Sequence, residues 1–181
     1  ATVVPMAVYA ATSSANTTIN ANLGSTISIS TSGSVTLNVT PVSGGSQTSA
    51  SDTVSVSTNN SSGYYLTLSD SDANTNLVNG GNNIAAHAGT QASPSALANN
   101  RWGYRVDSIG GFSTGGAVEN NVTTSSITYA GIPASGSPNT IKTTGATASG
   151  DTTTVWYAVK ADTTNPNGTY SDIVTYTATT N

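Results

Sequence analysis

The chain has 181 residues and a formal net charge of −4, with four Lys and Arg, eight Asp and Glu, one His and no Cys; charged residues make up only 7% of it. An average soluble domain carries about 25% charged residues, so the polar surface here must come from hydroxyls and amides. That composition excludes a disulfide scaffold and thiolate chemistry, offers no basic stripe for nucleic acid, and leaves few side chains for acid/base work or cofactor binding.

A chain of this length fits one domain, and no apolar run reaches the roughly 18 to 20 residues of a membrane-spanning helix. It opens at Ala1 rather than Met, which suggests that an upstream piece is removed. Residues 1–11 form an apolar arm. Read with period two, Val4, Met6 and Val8 share one face and Val3, Pro5, Ala7 and Tyr9 the other, so both faces are apolar. Such a segment needs a groove to lie in. Three readings remain open: a donor strand added to a neighbouring subunit, a first edge strand of its own sandwich, or the tail of a secretory signal ending at Ala10 and Ala11. Residues 12–18 are a polar linker, and residues 19–181 read as the folded domain.

Within that domain the dominant period is two. Ser34 to Val39 and Thr53 to Ser57 alternate strictly between small polar and aliphatic residues, and Ser25 to Ser30 does so from Thr26 on, the signature of half-buried strands. Further strands are expected at Tyr64 to Ser69, Trp102 to Asp107, Ser126 to Ala130, Thr140 to Thr144, Thr152 to Lys160 and Thr169 to Thr179. Gly and Asn clusters such as Asn59 to Gly63 and Asn79 to Gly81 separate them. The pattern predicts an all-β antiparallel sandwich, Ig-like or jelly-roll-like, with an N-terminal extension strand. Residues 71–100 read as a long loop, with one helical turn expected over Ser93 to Ala98.

Few groups invite chemistry. Asp70, Asp72, Asn74 and Asn76 place oxygens at alternate positions, as a calcium loop begins, but Thr75 and Gly81 stand where an EF-hand needs Gly and Glu. The loop is expected not to hold calcium tightly, and no metal or other cofactor is assigned. His87 lies in the long loop without a nucleophile signature nearby. Glu119 is the only glutamate. No enzyme is expected. Trp102, Tyr104, Trp156 and Tyr157 are rings that could face sugars, but their apolar surroundings favour the core. Glycosylation sequons begin at Asn16, Asn38, Asn59, Asn60, Asn121 and Asn167.

The C-terminal stretch, Gly168-Thr169-Tyr170 followed by the alternation Ile173 to Thr179, resembles secreted Thr/Ser/Asn-rich β-sandwich surface proteins of bacteria, and more weakly the ending of WxL-type cell-wall domains. Where a WxL domain has Trp-x-Leu, this chain has Trp156-Tyr157-Ala158 and Tyr176-Thr177-Ala178. The arm, linker and sandwich together resemble the layout of extracellular fibres assembled by donor strands. That resemblance implies an extracellular, cell-surface structural subunit whose partners are identical subunits, joined through Val3, Val4, Met6, Val8 and Tyr9. The alternative is an adhesin or carbohydrate-binding module that meets glycans or the cell wall.

Overall fold

A computed structural model describes all 181 residues as an all-β fold without a helix. In chain order the strands are β1 (Ile27–Ser30), β2 (Ser46–Thr58), β3 (Tyr64–Asp70), β4 (Leu77–Asn79), β5 (Asn82–Ala86), β6 (Ser95–Ala96), β7 (Arg101–Arg105), β8 (Glu119–Val122), β9 (Thr128–Tyr129), β10 (Asn139–Thr143), β11 (Ala148–Ala161) and β12 (Val174–Thr180). One sheet runs β1-β2-β11-β7-β5-β4, with β8 sharing the β1 side of β2. The other runs β10-β3-β12, and β6 pairs β9 apart from both.

The alternation determines which residues face inward. In β2, Val54 and Val56 are buried while Thr53 is exposed and Ser55 half-buried; in β3, Tyr64, Leu66 and Leu68 point inward. Val155, Tyr157 and Val159 of β11 complete the layer, and β11 is central, held by β2 on one side and β7 on the other. Trp102 and Tyr104 belong to this core, and Phe112 meets Tyr104 edge-on at 5.9 Å. The turn from β2 to β3 requires glycine: Gly63 has φ +80, and a Cβ there would lie 2.4 Å from the Thr144 carbonyl oxygen.

One basic side chain enters the interior. Arg105 is 2% exposed, yet its guanidinium donates to Asp107 at 2.6 Å and to the carbonyls of Thr128 and Ser113. Asp107 accepts in turn from the Gly115 and Gly116 amides, so the buried cation is paired and hydrogen-bonded.

Four sequence expectations change. Residues 34–39 form no strand, although their alternation is real: Val35, Leu37 and Val39 are half-buried and their neighbours exposed. β8 occupies the edge of β2 opposite Gln47 and Ser49, and residues 34–40 meet that region only through side-chain bonds to Ser46, Thr48 and Asn121. The stretch 71–100 contains β4, β5 and β6 rather than a helical turn, because Ser95 and Ala96 pair with Tyr129 and Thr128. One pairing, β5 with β7, is parallel. Finally, the first strand begins at Ile27, and every residue from Ala1 to Thr26 is exposed and outside any strand.

Candidate functional site

Two features of the fold stand unpartnered. The first is the arm. Val3, Val4, Met6, Val8 and Tyr9 are 78 to 94% exposed, and Ile19 and Leu23 further along are 84% and 85% exposed. Exposed apolar side chains thus recur on the far side of the polar linker. It leaves the sandwich where Asn59 pins it, accepting from the Thr26 amide and donating to the Gly24 carbonyl.

The second is a groove of about 1180 Å³ between residues 29–41 and residues 165–176, floored by core residues that include Leu77, Trp102, Tyr157 and Val159. That exceeds the roughly 300 to 1,000 Å³ of an ordinary small-molecule pocket. Its two walls carry free backbone. β12 pairs β3 on one side and no strand on the other. Residues 34–40 take part in no backbone–backbone hydrogen bond; side chains alone hold them, with Asn121 accepting from the Thr40 amide and the Thr48 hydroxyl donating to the Asn38 carbonyl.

Polar groups tie one wall to the floor. The phenol oxygens of Tyr157 and Tyr176 are 2.6 Å apart, and Asp52 accepts from the amide and hydroxyl of Ser32. Burial raises both phenols far above their usual range, and Asp52 adds to the rise, so both stay protonated.

The structure scatters the other sequence candidates. Asp70 is buried, Asp72 and Asn74 are exposed and Asn76 is half-buried. Asp70 Oδ1 accepts from the Asp72 amide and Asp72 Oδ1 from the Asn74 amide, which uses these oxygens to shape the turn. No three His, Asp or Glu side chains have the geometry to hold a metal ion. Glu119 accepts from the Gln47 amide nitrogen. Trp102, Tyr104 and Tyr157 are core residues, leaving Trp156 as the one half-buried ring of the four. Of the sequons, Asn59 and Asn60 spend their Nδ2 on the carbonyls of Gly24, Gly63 and Asn181, and Asn121 donates to Asn120; Asn16, Asn38 and Asn167 are exposed.

His87 gains a partner that the sequence did not show: its Nε2 lies 2.8 Å from the Ser95 hydroxyl. Pairing of β6 with β9 brings Ser95 there, and no local motif signals it. Burial, with the nearby Arg101 charge, lowers the imidazole pKa, so the ring is neutral at pH 7. Nδ1 is buried and bonded to nothing, so the pair lacks the orienting group of a catalytic triad. No protein-family model, curated protein or solved structure matches the chain.

Proposed function

We propose that this chain is the structural subunit of an extracellular homopolymeric filament or surface layer, in which the N-terminal arm of one subunit lies in the groove of the next. The observation that carries this reading is the presence, in one chain, of an exposed apolar arm and of a groove whose two walls both present unpaired backbone. An apolar arm left in water is an aggregation hazard, and a free sheet edge is a template for another strand. Each feature removes the liability of the other.

The energetics suit a stable joint. Burying Val3, Val4, Met6, Val8 and Tyr9 contributes about 1.5 to 3 kcal/mol for each large apolar side chain, and main-chain bonds to β12 or to residues 34–40 fix the register. Pro5 donates no hydrogen bond, so it belongs at an unpaired position or a bulge. Insertion in trans suits an arm that stays exposed in the single chain and is tied to the sandwich only at Gly24 and Thr26, through Asn59. The low charge of the chain leaves little repulsion between copies.

Deleting residues 1–11 tests the reading. The truncated chain is expected to fold and remain monomeric by light scattering, while the intact chain forms filaments visible by negative-stain electron microscopy. A synthetic peptide of residues 1–11 is expected to bind the truncated chain. Filaments from the truncated chain, or an arm found packed in its own sandwich, would refute the proposal.

A further inference from the structure

At one end of the groove two carboxylates meet. Asp70 closes β3 and is wholly buried; Asp172 stands two residues before β12 and lines the groove. The β3–β12 ladder, which pairs Asp70 with Val174, and the bond from the Ser71 amide to the Ile173 carbonyl at 2.9 Å bring them together. Each carboxylate has one oxygen satisfied. Oδ1 of Asp70 accepts from the Asp72 amide at 2.9 Å, and Oδ1 of Asp172 from the Ile173 amide at 2.8 Å. Each Oδ2 is buried with no hydrogen-bond partner.

Two ionised carboxylates in this arrangement repel each other and leave two buried acceptors empty. One proton corrects both faults, because the hydroxyl of one acid donates to Oδ2 of the other. We infer that Asp70 and Asp172 hold a single proton between them, a carboxylic acid–carboxylate clasp that fastens the approach to β12 against the end of β3 and loosens that wall of the groove when it ionises. The clasp does not depend on the assembly reading.

The electrostatic surroundings agree. Burial first, then the neighbouring Asp70 and Asp72, push the Asp172 carboxyl up to about 7 against the opposing pull of the Ile173 amide. No cation offsets them. β4, bridged to Ser171 through Val78, has no titratable side chain; the segment 131–137, which bonds the Asp70 amide and the Asp72 carbonyl, has none either, and β12 brings only the phenol of Tyr176. Calcium would want about six to eight oxygens, and this pair offers two. Because the folded pKa lies above the unfolded value of about 3.9, the stabilisation is full below that value and is lost as pH rises through about 7.

The test is a pH series of melting temperatures on the full chain, from pH 5 to 8.5, alongside Asp172→Asn and Asp70→Asn, whose amides donate where the acid hydroxyl did. Wild type is expected to lose about 5 °C as pH passes from 6 to 8, and either variant to lose far less. Infrared spectra of wild type are expected to show a protonated-acid carbonyl band at pH 6 that disappears by pH 8.5. A wild type whose melting ignores pH and shows no such band overturns the inference. So does a melting temperature raised by millimolar calcium and restored by chelator, which would make the pair a cation site. If neither variant folds, the infrared titration of wild type decides alone.

Discussion

The phenol oxygens of Tyr157 and Tyr176 sit 2.6 Å apart, one on the central strand of the larger sheet and the other on the edge strand of the smaller. This bond crosses the sandwich at the groove and ties its β12 wall to the floor. Both rings are largely removed from water, so a phenol that loses its partner is left with an unpaired hydroxyl. Tyr157→Phe and Tyr176→Phe are each expected to cost about 1 to 3 kcal/mol, and the double variant less than the sum. Urea unfolding of the four proteins closes that cycle, and strict additivity would show that the hydroxyls do not interact.

Asp107 is expected to matter more than its partial exposure suggests, because it is the counter-ion of the buried Arg105. Asp107→Ala leaves that guanidinium without its charge partner and frees two glycine amides, at a cost of about 3 to 5 kcal/mol. The Gly116 and Gly115 amides and Arg105 hold its carboxyl below the usual range, outweighing the opposing effect of burial. Its contribution is therefore complete above the unfolded value of about 3.9 and is lost as pH falls through the lower folded value. Wild type should be more stable than Asp107→Asn above pH 4, and the gap should close as pH falls below it; a gap that does not change with pH would refute the assignment.

The fold was legible wherever a strand has one wet face. Thr53 to Ser57 and Tyr64 to Ser69 state their burial directly, since a period of two leaves no choice of side. Residues 34–39 show the limit of that signal. Their alternation reports which side chains turn inward, but pairing depends on a neighbouring edge that the local pattern does not reveal, and residues 34–40 make no backbone–backbone hydrogen bond. The same limit hid β4, β5 and β6 in residues 71–100, because strands of two to five residues, such as Leu77-Val78-Asn79 and Ser95-Ala96, are too short to carry a period of two. The apolar arm was readable, as was its lack of a polar face. The groove was not, since its walls come from residues more than a hundred positions apart. Asp70 and Asp172 likewise meet only through strand pairing.

His87 and Ser95 make a sharper test of the non-enzymatic reading than either residue alone. The distance suits a base and a nucleophile, but the free Nδ1 leaves the imidazole without the acid that would orient it. Ser95 is expected to resist a fluorophosphonate probe, and ester, peptide and glycoside screens are expected to show no turnover. Labelling at Ser95, or hydrolysis abolished by His87→Ala or Glu119→Gln, would show that the pair works as a catalyst.

The arm allows a prediction about pattern as well as presence. A strand seated in the groove turns alternate side chains toward the floor of Leu77, Trp102 and Val159 and the others outward. Val4, Met6 and Val8 form one set, and Val3, Pro5, Ala7 and Tyr9 the other. Single Asp substitutions along residues 3–9 should therefore damage assembly with period two: one set abolishes filaments, because a carboxylate cannot be buried unpaired, and the other slows or weakens them. The isolated sandwich is expected to keep its melting temperature throughout, since these residues are exposed in the single chain. Sedimentation of assembled material for each variant gives the readout. Equal loss at every position would point to a nonspecific apolar contact, and no loss at any position would show that the groove receives something other than this arm.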